Sequence, residues 1–328
     1  MRVFVYEYTC ATDTATDPLA ASLRAEGSAM LSALMGDFGR IPEVETFTQQ
    51  STAAPDHEEV FRNLAAAADW TLVIAPECNG ILRTRCRWVL ESGGRLLGPS
   101  PAAVALTSDK LALCQHLRKL GVPTPQSLPF VPGHEWPNLS FPMVWKPREG
   151  AGSQATFLVR DEDELRACTI QARAEGWQGE SLIQPFIPGL SASVAFLTGR
   201  RSCVALLPAE QCLSADGRFH YLGGKLPLAT ELARRAVQLA KQAVQTVPKP
   251  RGYLGVDVVL GADSDGGSDC VIEINPRPTT SYIGLRALAQ TNLAEVLLHA
   301  AVGDEIPQIQ WQAGAVQFGA AGTVQWNR

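Results

Sequence analysis

The sequence predicts an α/β protein in which an open, parallel α/β lobe is followed by α+β units. Three observations predict it. Residues 1–98 run strand, helix, strand; prolines crowd the stretch 121–142; and two strand-patterned runs, 253–260 and 270–275, flank a turn-rich segment near the C-terminal end.

The first lobe is read from Arg-Val-Phe-Val-Tyr at 2–6, an apolar helical run over 19–38 and Trp-Thr-Leu-Val-Ile-Ala at 70–75. Pro99 and Pro101 then punctuate the chain, and residues 108–120 form a helix with apolar spacing at Leu111, Leu113, Leu117 and Leu120, for which Ser108 is the expected N-cap. Prolines at 123, 125, 129, 132, 137 and 142 imply that 121–142 threads between elements instead of forming one, and that a new lobe begins there. That lobe reads as a strand at 143–146, a loop at 149–154, a strand at 156–160, a helix over 161–175 and a strand at 181–184. The last section alternates at 191–197, carries a helix over 229–247, and ends in the strand pair. The domains follow as 1–98, 99–303 with a central subdomain at 121–187 and a second at 188–303, and a tail at 304–328 packed on the core.

The 328 residues are 46% hydrophobic and 19% charged, which excludes disorder, collagen and coiled coil. A net charge of −5 and a pI near 5.6, with 28 scattered basic residues, give no electrostatic footprint for nucleic acid or a membrane surface. No apolar run approaches the roughly 20 residues of a membrane helix, and the N-terminus lacks a signal-peptide pattern. The eight cysteines include no CxxC pair, so reduced thiols in a cytoplasmic protein are expected.

The strand pair carries the chemistry. In an antiparallel hairpin centred near Asp265, Asp257 lies across from Glu273, and period-2 alternation places Asn275 on the same face while Ile272 and Ile274 point into a core. Two opposed carboxylates repel unless a cation or a shared proton intervenes, and two carboxylates with an amide suit Mg²⁺ (or Mn²⁺). An off-register pairing would send both acids to solvent. The acids of 263–269 do not fit a calcium loop, because Ser268 falls where the glycine belongs and Ile274 at the twelfth position; they are read as decorating a solvated turn.

There is no GxxxxGK[ST] and no dinucleotide fingerprint. The glycine-serine loop at 149–154, between strands, is either a hairpin turn or a cover that donates backbone N–H groups to phosphates. Lys146, immediately before it, and Lys110, at a helix start, are each a surface charge if taken alone; with the carboxylate hairpin they describe a triphosphate pocket.

In order, Ser-Asp-Lys-Leu at 108–111, Gly-Val-Pro-Thr-Pro at 121–125, Val-Trp-Lys-Pro at 144–147, the loop at 149–153, Leu-Ile-Gln-Pro-Phe-Ile-Pro-Gly at 182–189, Gly-Tyr-Leu-Gly-Val-Asp-Val-Val at 252–259 and Ile-Glu-Ile-Asn-Pro-Arg-Pro-Thr-Thr-Ser at 272–281 resemble the ATP-grasp superfamily. The first hundred residues resemble its Rossmann-like pre-ATP-grasp lobe, and 121–187 its central lid. The resemblance implies that Lys110 and Lys146 contact ATP phosphates and that Gly150, Gly152 and Ser153 belong to the phosphate cover. It further implies that Gln184, Pro185, Phe186 and Ile187 meet the adenine, that Asp257, Glu273 and Asn275 bind the metal, and that Arg277 steadies the transferred phosphoryl group. A structural salt bridge is the other reading of Arg277. The glutamate that holds ribose in many members is missing after the interlobe segment, where Ser191 and Ser193 are either substitutes or strand serines.

The wording at 22–31, 75–82, 221–225 and 275–282 is similar to the tyramine-glutamate ligase branch, which implies a carboxylate-amine ligase working through an acyl phosphate, joining glutamate to an aromatic amine in methanofuran-type biosynthesis. A D-alanine-D-alanine-like or carboxylase-type enzyme and a non-catalytic nucleotide-binding protein are the alternatives. Small-molecule carboxylate and amine partners follow, no nucleic acid or membrane, and a homodimer is left open. Residues 1–30 and 208–228 are expected on the acceptor side, where Glu7, Glu26, Glu77 and Arg83 are either ligands or surface charges.

Overall fold

A computed structural model describes residues 1–12, 18–51, 56–131, 140–303 and 305–327. In the first lobe, β1 (Arg2–Glu7) leads into the short α1 (Tyr8–Ala11) and the long α2 (Pro18–Phe38), followed by β2 (Glu45–Phe47), α3 (His57–Ala67), β3 (Trp70–Ile74), a 3-10 turn at Cys78–Gly80 and α4 (Ile81–Glu91). The sheet is parallel in the order β2-β1-β3. β1 is buried from Val3 onward because helices cover both faces: Val3 and Val5 pack with Met30, Leu34 and Phe38, whereas Phe4 and Tyr6 pack with Phe61, Leu82 and Val89. The sequence reading identified the two strands and α2 but not α3 and α4, which supply the second covering layer.

Two helices follow, α5 (Pro101–Ser108) and α6 (Lys110–Lys119). The expected cap is corrected here: Ser108 ends α5, and Asp109 caps α6, its carboxylate accepting from Leu111 N at 3.1 Å and Ala112 N at 3.0 Å. One cap residue thus closes one helix and opens the next, which aims Lys110 from the first position of α6.

The unit expected to form the lid is an antiparallel sheet of β4 (Leu128–Phe130), β5 (Met143–Pro147), β6 (Phe157–Val159) and β7 (Ser181–Pro185) in the order β4-β7-β5-β6, with α7 (Glu162–Ala174) on one face. It has its own core, including Phe130, Trp145, Phe157, Leu165 and Ile183. The expectation that 121–142 holds no element fails at β4. This strand pairs only with β7, so it is an edge strand, and an edge tolerates the missing N–H of Pro129. Pro132 and Pro137 lie outside the described residues.

The remaining chain builds a large antiparallel sheet from β8 (Leu190–Thr198), β9 (Cys203–Ala205), β10 (Ala209–Leu213), β11 (Tyr221–Leu226), β12 (Gly252–Leu260), β13 (Cys270–Asn275), β14 (Ala315–Gly319) and β15 (Val324–Asn327). The strand order is β13-β12-β8-β10-β11-β14-β15, with β9 on β8. α8 (Thr230–Thr246) covers one face, with Ala236, Ala240 and Val244 against Val194, Phe196, Leu254 and Val256. α9 (Ser281–Leu288) and α10 (Leu293–Val302) cover the other, together with α2. The chain beyond 304 contributes two strands to this sheet and buries Val316 and Phe318.

The first lobe is fastened to this sheet through Asp37 of α2, which is 1% exposed and accepts from Tyr282 Oη at 2.7 Å and from the fork of Arg286 at 2.8 and 2.6 Å. In the 263–269 turn, Asp263 and Asp265 are exposed as expected, but Asp269 is not a solvated acid. It is buried, paired with Arg235, and accepts from Gly261 N at 2.9 Å. All eight cysteines are free thiols, and among the described residues no helix is long and apolar enough to cross a membrane.

Candidate active site

β12 and β13 pair in the register the sequence implies: Gly255 opposite Asn275, Val256 opposite Ile274, and Asp257 opposite Glu273. Beyond that pair the register shifts, so that Val258 faces Val271 and Ile272 is the extra residue of a bulge. The bulge corrects one expectation. Ile274 is buried in the core, but Ile272 is turned out of it and lines the same cavity as Glu273. An apolar wall beside the carboxylates is the result.

Asp257 accepts from Gln211 Nε2 and from Asn275 Nδ2, both at 3.0 Å. Burial and the facing Glu273 raise its pKa above the ordinary carboxylate range. Burial also pushes Glu273 upward, but Lys110 and Lys146 beside it outweigh that and hold it low. Lys110 Nζ lies 3.3 Å from Glu273 Oε2 and donates to Gly150 O at 3.0 Å. Lys146, on the lid strand β5, is 6% exposed, and its burial lowers its pKa to about 8 against the pull of Glu273.

These groups surround one cavity of about 430 Å³. Gly150, Gly152 and Ser153 line it from the lid. Gly152 has φ +67°, and a Cβ there would come within 2.9 Å of Leu23 Cδ2, so the loop lies directly against α2 of the first lobe. Ser153 Oγ donates to Phe219 O at 2.6 Å. Of the interlobe segment, Gln184, Phe186 and Ile187 line the cavity; Pro185 does not, being held in β7 opposite Met143. Ser191 and Ser193 both line it. Asn275 meets Asp257 but is not itself part of the cavity wall.

The β10–β11 hairpin, within the stretch 208–228 expected on the acceptor side, brings Gln211 and Phe219, to which the sequence assigned no individual role. Its tip docks on the lid: Arg218 forks onto Glu175 with both bonds at 2.8 Å, and Leu158 N donates to Gly217 O at 2.7 Å. This places Phe219 6.2 Å from Phe186, ring centre to ring centre, at one end of the cavity. Gln211 and Tyr221 line the wall behind them. Alternation along 209–213 could have flagged Gln211; the backbone at Phe219, with φ 56°, leaves no such trace.

Arg277 lines the cavity from the segment after β13. Its Nε is 2.8 Å from Glu77 Oε1, and its Nη2 donates to Glu77 Oε2 at 3.1 Å. Both side chains are nearly buried, at 15% and 6% exposure, so Arg277 lines the cavity while paired across the lobe boundary. Glu77 and Glu7 are therefore not surface charges. Glu7 caps α1, accepting from Cys10 N at 2.7 Å and Thr9 Oγ1 at 2.8 Å, whereas Glu77 follows β3 at the C-terminal edge of the parallel sheet, where such folds place ligand groups. Glu26 lines the cavity from α2, also off the surface, and Arg83 is exposed.

Among the described residues no cluster of three or more His, Cys, Asp or Glu is formed. The donor set is instead two opposed carboxylates with an amide beside them, all oxygen donors in a half-buried setting where like charge is left on the strands. These residues fit a hard divalent cation.

The geometry agrees with comparisons to known proteins. A family model described as an ATP-grasp domain matches residues 107–281, and one described as a pre ATP-grasp 3 domain matches 38–104. The tyramine–L-glutamate ligase of Methanocaldococcus fervens is 26% identical over 301 residues, covering 86% of this chain and 89% of that protein. Its counterpart in Methanocaldococcus jannaschii is 27% identical over 238 residues, covering 73% and 64%. The crystal structure of an ATP-grasp superfamily protein from Archaeoglobus fulgidus superposes with a TM-score of 0.71 at 24% identity, over 97% of this chain and 92% of that one. With a domain match over more than half its length and relatives that carry ligase names, the chain belongs to the ATP-grasp family of enzymes.

Proposed function

We propose that this enzyme is an ADP-forming carboxylate–amine ligase that takes ATP, a small carboxylate and an amine. A carboxylate is a poor electrophile; transfer of the γ-phosphoryl group to its oxygen gives an acyl phosphate, which the amine attacks with loss of phosphate. The observation that carries this reading is that Lys110, Lys146, Asp257 and Glu273, from four separate elements, and Arg277, from the segment after β13, converge on one cavity.

Phe186 and Phe219 hold the base end, and Lys110 and Lys146 neutralise phosphate charge. Asp257, Glu273 and Asn275 hold Mg²⁺, which when bound offsets charge on the phosphates. Arg277, kept in place by Glu77, faces the group being transferred. Residues 121–187 act as the lid, whose loop at 149–154 excludes the water that would hydrolyse an acyl phosphate. Glutamate as the carboxylate and an aromatic amine as the acceptor are favoured by the names of the two relatives; the place in methanofuran-type chemistry rests on the sequence resemblance alone.

The test is Mg²⁺-dependent ADP release with ATP and L-glutamate against a panel of amines including tyramine and tyrosine. Turnover that needs both an amine and Glu273 supports the ligase; ATP binding with no turnover on any pair sinks it.

A further inference from the structure

We propose that Glu26 is the anchor for an ammonium group of a substrate, so that one side of the cavity is built to select an amine-bearing molecule. The proposal rests on the ligase reading above and adds the residue that chooses the substrate. Glu26 projects from α2 into the cavity, where Oε2 lies 3.4 Å from Thr280 Oγ1.

Charge around it is unbalanced. Among the described residues Arg277 is the cation that acts on Glu26, and it is already committed to Glu77, which it meets through two atoms. Two carboxylates from the first lobe thus share a single guanidinium, leaving negative charge in excess of it on a half-buried wall that also carries Thr279, Ser281 and Tyr221. Burial raises the pKa of Glu26, as expected of a carboxylate without a full counter-ion. A long weak contact to one hydroxyl leaves most of its acceptor capacity unused. The complement in size and charge is an alkylammonium group.

Two sources carry that chemistry, the α-ammonium of an amino-acid donor and the ammonium form of the attacking amine. Calorimetric titration distinguishes them. With Mg²⁺ and a non-hydrolysable ATP analogue present, L-glutamate is compared with glutarate, and tyramine with 2-(4-hydroxyphenyl)ethanol, so that each pair differs by the amine.

Wild type should bind the ammonium member of one pair about tenfold or more tighter than its counterpart, the range of a hydrogen bond to a charged group. Glu26→Gln should bring that ratio near unity while leaving the amine-free compound's Kd in place, and Glu26→Asp should restore part of it. A thermal unfolding midpoint close to that of the wild type reports that each variant is folded. Collapse in the glutamate pair assigns the anchor to the donor, and collapse in the tyramine pair assigns it to the acceptor. Wild-type ratios retained in Glu26→Gln overturn the proposal, as does a wild type that prefers neither ammonium compound. Discrimination without ADP release on any pair keeps the anchor and rejects the ligase instead.

Discussion

The two ends of the cavity are built in opposite ways. At the proposed phosphate end, the candidate groups sit on regular elements of the ATP-grasp domain: Asp257 and Glu273 on paired strands, Lys146 on β5, Lys110 at the start of α6. Their contacts mix one ion pair, Lys110 with Glu273, with amide and carbonyl hydrogen bonds. At the other end, Glu26, Glu77 and Arg277 come from three parts of the chain, with Arg277 and Glu77 200 residues apart. The first group belongs to one domain; the second spans two lobes, which the Asp37 contacts and the apolar packing of α2 on α9 and α10 fasten together. Chemistry common to the family can reside in the former, and substrate choice in the latter.

Removing a phosphate-end carboxylate is the largest expected perturbation. Glu273→Ala should lower kcat by about a thousandfold and weaken Mg²⁺ dependence, measured by coupled ADP release, while a residual rate near wild type would break the division of labour. Next comes the pair that joins the ends. Arg277→Ala should cost on the order of a hundredfold in kcat, and Glu77→Gln about tenfold with little change in KM for ATP. The double variant should cost no more than Arg277→Ala alone, because Glu77 acts through the arginine. Independent losses would show that Glu77 touches the substrate itself.

Proton linkage gives a third test, confined to the phosphate end. Burial has lowered Lys146 to about 8, whereas bound phosphates favour its charged form. Binding then draws a proton whenever the free enzyme has lost it. Affinity for an ATP analogue should therefore be greatest below about pH 8 and fall by up to about tenfold per pH unit above it. Lys146→Met should bind more weakly and flatten that slope; an unchanged slope would remove Lys146 from the phosphate site. The smallest effect is expected at Ile272→Ala, which trims the apolar wall made by the bulge. A loss of about 1 kcal/mol in ATP-analogue affinity, roughly fivefold, with kcat preserved, would mark it as a wall and not a catalytic group.

How much of this was legible in the sequence follows from the same contrast. Period-2 alternation and a hairpin midpoint are enough to bring Asp257 against Glu273, since both strands are local and pair through one turn. The bulge at Ile272 was not legible, because a one-residue register shift leaves the apolar pattern on both strands intact. Asp109 displaced Ser108 as cap for a related reason: both are good capping residues, and backbone angles at the α5–α6 junction, not composition, choose between them. α3 and α4 cover the first sheet with patterns the reading passed over. The Arg277–Glu77 pair, the Phe186–Phe219 facing and the Arg218–Glu175 fork depend on lobe packing, and no local spacing encodes a contact made across the whole fold.

The turn that joins the two metal-strand candidates bears on how this gene could be rebuilt. Arg235 and Gly261 N grip Asp269 at the base of the segment 262–268, so the strands leave a fixed point and the tip beyond it is exposed. Length is therefore free in one place and forbidden in the next. A peptide tag or a new pair of chain ends at Gly266 or Gly267 should leave the register of Asp257 and Glu273 untouched, whereas deletion of one residue from β13 would rotate the glutamate into the core and exchange it for an isoleucine.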